Sequence, residues 1–357
     1  MPLGGSAPSR RPRVGFVGVG WIGRHRMEAM LATGEIEAAV YADPSDAAAE
    51  GAARLAPAAE RARDLDAMLD HDLDAVVIAT PSARHAEEAC RAFARGVAVF
   101  CQKPLGRSAQ EVASVVEAAR ASDRLLGVDL SYRYAEGVAR IRDLVASGDL
   151  GRLYAADLVF HNAYGPDKPW FYDPKLSGGG CVVDLGVHLV DLALSLFDEP
   201  VEQVSSALFR KGSPLGPTQN EAEDFAVATL TFRSGAVARL ACSWGLPAGR
   251  DAVIRTSFVG TEAGAELRNV GGSFYDFVAE RFDGVQAVRL CDPPDAWNVR
   301  AAQDFARRVA RGERFDPGVA DQITVARVID RIYGRGSADE KEPVARVAAA
   351  VGASSAS

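Results

Sequence analysis

The stretch RVGFVGVGWIGRH, residues 13–25, decides the fold. A short apolar run leads into Gly18, Gly20 and Gly23, and an amphipathic segment follows. Alone, the spacing GxGxxG is a weak signal. Between a strand and a helix that open a βαβ unit, it marks a dinucleotide-binding turn. Gly18 permits the tight turn, Gly20 lets backbone approach a pyrophosphate, and Gly23 lets helix and strand pack closely. The helix N-terminus, with Trp21 and Ile22, then presents free N–H groups and a partial positive charge to the phosphates.

Working outward, strands and helices alternate as far as about Asp129. IEAAVYAD (36–43), DAVVIATP (74–81), VAVFCQKP (97–104) and RLLGVDL (124–130) read as strands, with helices between them. That rhythm predicts a parallel, doubly wound sheet. Asp43 ends the second strand. A carboxylate there accepts hydrogen bonds from ribose hydroxyls and repels a 2′-phosphate, which favours NAD. The competing reading is a helix cap in the dipeptide Asp43-Pro44, and Arg24 and Arg54 leave NADP open. Thr80, Pro81 and His85 follow one strand, and Gln102 and Lys103 follow another. Ligands in an open α/β sheet sit beyond the carboxyl ends of the strands, so all five are expected at the cofactor crevice. A lone lysine after a strand is otherwise most often a solvated charge.

From about residue 134 the rhythm changes. Extended runs at 152–160, 201–209, 224–232, 236–244 and 252–260 predict a mixed, mostly antiparallel open sheet. Helices are expected at 297–312 and 318–334. The expected organisation is a nucleotide-binding domain over 12–133 and a substrate-binding and oligomerisation domain over 134–345. Tails at 1–11 and 346–357 are expected to be disordered.

The whole chain narrows the function classes. Its 357 residues, 48% hydrophobic and 25% charged, suit a two-domain globular protein. A net charge of −8 argues against nucleic acid or an acidic membrane as partner. Five scattered cysteines without a CxxC pair suggest reduced thiols and a cytoplasmic setting. No signal peptide or membrane span is expected.

Residues 178–197, GGGCVVDLGVHLVDLALSLF, form an otherwise apolar helix carrying Asp184, His188 and Asp191. At about 100° per residue the three share one face. A satisfied internal polar network is one reading of that stripe. Catalysis is another, since imidazole exchanges a proton near neutrality. A metal is not expected, because no second His/Cys cluster accompanies the pair and a nearby lysine would compete with a cation.

The glycine loop, ATPSARH, CQKP, SYRY and GGGCVVDLGVHLVD together resemble the Gfo/Idh/MocA family, named for glucose–fructose oxidoreductase and inositol dehydrogenase. The resemblance covers about residues 12–345. It implies a Rossmann domain, a C-terminal α/β domain and a homo-oligomer, dimer or tetramer, formed through the open sheet. It also implies Lys103 as the catalytic lysine, Asp184 and His188 as the pair at the substrate, and His188 as the proton-transfer residue. The family commonly has Glu-Lys-Pro where this chain has Gln102-Lys103-Pro104, so position 102 brings no negative charge beside the lysine.

The function expected is hydride transfer between NAD(P) and a secondary alcohol or ketone of a sugar, cyclitol or related polyol. The alternatives are a non-catalytic NAD(P)-binding regulator and an NAD-dependent glycoside hydrolase. Tyr164, Trp170 and Tyr172, in the loop before the helix, and Arg133 in SYRY are expected substrate contacts. Each also suits plain packing or an ion pair.

Overall fold

The computed structural model describes residues 10–216 and 221–335. Apart from Arg10 and Arg11, both expected tails lie outside that range. Six parallel strands form the first sheet: β1 (Arg13–Val17), β2 (Glu37–Ala42), β3 (Glu60–Arg61), β4 (Ala75–Ile78), β5 (Ala98–Cys101) and β6 (Leu126–Val128). Their order is β3-β2-β1-β4-β5-β6. The direction of winding reverses between β1 and β4, so the crossovers diverge there and leave a crevice at the carboxyl edge. Strands β4 and β5 are buried on both faces and read as unbroken apolar runs for that reason.

Helices α1 (Trp21–Leu31) and α2 (Asp46–Leu55) cover one face of this sheet. The short α3 (Leu65–Leu69), with α4 (Ser82–Ala94) and α5 (Ala109–Ser122), belongs to the core of the other. β3 and α3 were not anticipated. Two residues of strand and one turn of helix carry too little pattern to read.

After α6 (Glu136–Ala146) comes the second sheet, nine strands built from β7 (Leu153–Asn162) onward. Past the four-residue α7 (Pro174–Ser177) runs the apolar helix, a π-helical turn at Val182–Gly186 continuing into α8 (Val187–Phe197). The remaining strands are β8 (Val201–Arg210), β9 (Ser213–Pro214), β10 (Phe225–Phe232), β11 (Val237–Ser243), β12 (Ala252–Gly260), β13 (Gly264–Asn269), β14 (Phe277–Asp283) and β15 (Gln286–Cys291). The order is β15-β14-β13-β12-β7-β11-β10-β8-β9, antiparallel throughout except for the β7–β11 pair. A mixed, mostly antiparallel sheet was expected, although β13, β14 and β15 were not.

Burial alternates along β10, β11 and β12. One face packs on α6, α8 and α10 (Asp321–Ile332), and the other carries no helix among the described residues. By length and composition, residues 174–197 would suffice to cross a membrane. Here they lie in the second core, where α10 covers α8.

Helix α9 (Trp297–Ala310) returns to the first sheet. Ala301, Ala302, Phe305 and Ala306 pack among Val14, Phe16, Val77 and Phe100. The helix thus crosses the sequence division expected at residue 133.

Candidate active site

Each glycine of the opening loop has its own steric reason. Gly18 adopts φ +78°, and a Cβ there would meet the Ala79 carbonyl oxygen at 2.5 Å. A Cβ on Gly23 would lie 1.8 Å from the Gly18 carbonyl oxygen. A Cβ on Gly20 would meet nothing of the described residues within 4 Å. Gly20 therefore faces open space directly before α1, whose first turn has neither a side-chain cap nor an acidic residue. An uncapped helix start beside an open cradle fits a dinucleotide pyrophosphate. Trp21 opens the helix, 65% exposed and stacked on the His25 ring, and Ile22 is half-buried behind it.

This contrast makes a testable pair. Gly20→Ala should leave the melting temperature of the ligand-free protein within about 1 °C of wild type while weakening NADH binding roughly tenfold or more. Gly23→Ala should lower stability itself, because the new methyl displaces backbone. Equal melting temperatures for the two variants would refute the assignment.

Asp43 Oδ2 accepts from the Val19 amide at 2.8 Å, and Oδ1 from the Ser45 amide at 2.8 Å. It ties the glycine loop to the end of β2 and keeps unused lone pairs at the crevice. The helix that follows is capped by Ser45. Thr80 donates its hydroxyl to Glu88 at 2.6 Å, and Pro81 precedes α4. His85 is sealed, its two ring nitrogens 2.7 Å from the carbonyl oxygens of Thr80 and Pro104. It joins the loops after β4 and β5, so its reach toward a cofactor is through their backbone. Burial pushes its pKa down.

Lys103 crosses from the first sheet to the second. Its ammonium donates to Asp184 Oδ1 at 2.6 Å and to the Asp184 carbonyl oxygen at 2.7 Å. Trp244, just beyond β11, donates its indole N–H to Asp184 Oδ2 at 3.1 Å. The carboxylate is thereby held from both sides. His188 is 8% exposed, with its ring centroid 4.8 Å from that of Tyr132. Its Nδ1 is buried without a partner among the described residues, so no acceptor of theirs stabilises an imidazolium there. Burial, the Lys103 ammonium and the Arg26 guanidinium hold its pKa well below 6.5.

The stripe divides into three environments. Asp191 forms a two-pronged ion pair with Arg133, Nε to Oδ2 being 2.7 Å, and it makes no bond to His188. Arg133 is thus occupied by an acidic neighbour. The π-helical turn spaces its hydrogen bonds i→i+5, so 100° per residue does not hold through 182–186. Among the described residues, no three His, Cys, Asp or Glu side chains gather as a metal set.

Glu223 was not anticipated. Fully buried, it accepts from the amides of Gly180 and Val182 and from the Tyr333 hydroxyl, all within 2.9 Å. It caps the start of the helix that carries Asp184 and His188. The aromatic loop leans on Trp244: Tyr172 lies edge-on to it at 5.5 Å and Phe171 at 6.4 Å, while Trp170 stacks on Phe171 at 3.8 Å. Tyr172 gives its hydroxyl to the Pro166 carbonyl oxygen, and Tyr164 is 52% exposed near Phe274.

Residues 12–130 match the family model described as oxidoreductase family, NAD-binding Rossmann fold, and residues 138–266 match the GFO/IDH/MocA C-terminal domain. The chain belongs to the Gfo/Idh/MocA family. A D-glucoside 3-dehydrogenase of Escherichia coli (strain K12) is 28% identical over 54% of this chain, and the match spans 58% of that relative. A putative UDP-kanosamine synthase oxidoreductase subunit of Amycolatopsis mediterranei (strain S699) is 30% identical, over 72% of this chain and 75% of its own. In fold, this Gfo/Idh/MocA member resembles a levoglucosan dehydrogenase solved with NADH. The TM-score is 0.78 at 23% identity, over 91% of this chain and 96% of that one.

Proposed function

We propose that the chain is a nicotinamide-dependent dehydrogenase or reductase acting on a secondary alcohol or ketone of a sugar, cyclitol or related polyol. One observation carries this reading: the Lys103 ammonium of the first domain is bonded to Asp184, one helical turn before a buried, neutral-leaning histidine. Bound NAD(P) supplies the hydride acceptor or donor. Gly18, Gly20 and the start of α1 hold its pyrophosphate, and Asp43 its adenosine ribose, with NAD preferred. His188 takes the hydroxyl proton during oxidation and returns it during reduction. Lys103 stabilises negative charge on the reacting oxygen, and Asp184 keeps that ammonium in place.

The names of the relatives, a glucoside dehydrogenase and a nucleotide-sugar oxidoreductase subunit, support a sugar-like substrate. Tyr164, Trp170 and Tyr172 border its side of the crevice. Cytoplasmic location and self-association belong to the same proposal. The sheet face opposite α6, α8 and α10, where Val227 and Val259 are each 38% exposed, is the surface assigned to a second copy.

The test is a screen of sugars, inositols and their keto forms with NAD(H) and NADP(H), following absorbance of the reduced nicotinamide. Turnover with at least one polyol, faster with NAD, is expected. Bound cofactor with no turnover on any substrate, in either direction, would overturn the enzymatic reading.

A further inference from the structure

Beneath the crevice lies a sealed polar cluster that the proposed reaction does not use. Arg26 of α1, Gln102 after β5, and Asp129 and Ser131 after β6 are each less than a tenth exposed. Asp129 Oδ2 accepts from Arg26 Nε at 2.5 Å and also from Gln102 Nε2. Its Oδ1 accepts the Ser131 hydroxyl at 2.5 Å, and Arg26 Nη2 reaches that hydroxyl oxygen at 3.3 Å.

A glutamine has one donor end and one acceptor end. A carboxylate only accepts, so the end facing Asp129 is the nitrogen, and the oxygen must turn away. That oxygen takes no hydrogen bond from the described residues and is not among the sealed atoms lacking a partner. We propose that Asp129, anchored by Arg26 and Ser131, is a positioning residue. It fixes the Gln102 carboxamide so that a neutral acceptor is offered to a hydroxyl or amide donor of the ligand beside Lys103. The ligand half of this statement rests on the nicotinamide reading. The charge half does not.

Arg26 and Asp129 already form a closed pair, one charge of each sign. A glutamate at 102 would press a second carboxylate against the oxygen that Gln102 now touches. Such a pair keeps one proton to high pH. The other titratable and charged groups around the cluster are His25 on α1, the Cys101 thiol on β5, Lys103, and His188 from α8.

The experiment uses ligand-free wild type, Gln102→Glu, Asp129→Asn and the double variant, melted between pH 5 and pH 8, with NADH binding followed by fluorescence. At pH 5 the added carboxyl carries its proton and donates to Asp129, so Gln102→Glu should melt near wild type. A carboxyl whose folded pKa is raised loses stability as pH rises, so the gap should widen toward pH 8. The double variant holds a single carboxylate again, and the widening should vanish. At pH 8, Gln102→Glu should bind NADH roughly tenfold more weakly, and the double variant should recover most of that.

A Gln102→Glu profile parallel to wild type, or a double variant no better than it, overturns the proposal. Should Asp129→Asn alone fail to fold, its Arg26 being stranded, the other two variants still decide. Failure of wild type to bind NADH would sink the cofactor reading instead, and the melting profiles would still judge the cluster.

Discussion

Lys103→Met should lower turnover by about 10²–10³-fold while leaving NADH binding within a few-fold of wild type. Methionine keeps the length and apolar stem of lysine but removes the charge that lies 2.6 Å from Asp184 Oδ1. Trp244 still holds the other carboxylate oxygen, so Asp184 stays in place. What is lost is the positive charge available to an oxygen gaining negative charge in the transition state. A second readout separates this from misfolding. The Lys103 ammonium is one of the charges that depress His188, so its removal should move the acid limb of the pH–rate profile upward. An unchanged rate, or an acid limb that stays where it was, would contradict both roles.

His188→Ala should reduce turnover by roughly 10²–10⁴-fold, the range of a lost general base. In the wild type the acid limb of kcat/KM should fall below pH 6.5, because burial, Lys103 and Arg26 all oppose the imidazolium. The same depression has a stability sign. Below 6.5 the unfolded chain binds a proton at this position that the folded chain refuses. Stability from this group is therefore whole above 6.5 and is lost as pH falls toward the folded value. His188→Gln should flatten that part of the stability profile. An acid limb above 7, or an acid sensitivity that survives the substitution, would show that the ring is not held neutral.

Much of the first half is legible in the chain because its signals are local. A glycine triplet between a strand and a helix, and acceptor residues at strand ends, need no distant partner to be read. Lys103 stood out at a strand end, and Asp184 and His188 as a charged stripe on an apolar helix, but nothing local tied the one to the other. Their convergence joins residues 81 positions apart, which no periodicity records. Arg26, Asp129, Glu223 and Trp244 escaped for the same reason. Each looks ordinary in its own segment and acquires a role only from a partner across the fold. β14 and β15 escaped differently. β15 is largely exposed and β14 is buried only over its first half, so neither shows the two-residue alternation that marks a half-buried strand. The π-helical turn left no mark either, since one widened turn barely alters an apolar pattern.

The placement of α9 bears on how the polypeptide matures. Phe305 and its neighbours seal the back of a sheet whose first strand begins at Arg13, almost three hundred positions earlier. A nascent chain leaving the ribosome would thus carry an unsealed oily flank on its opening half until that late helix emerged. Splitting the gene near codon 133 would make the same wound permanent, and the amino-terminal piece should come out sticky unless residues 297–310 are supplied alongside it.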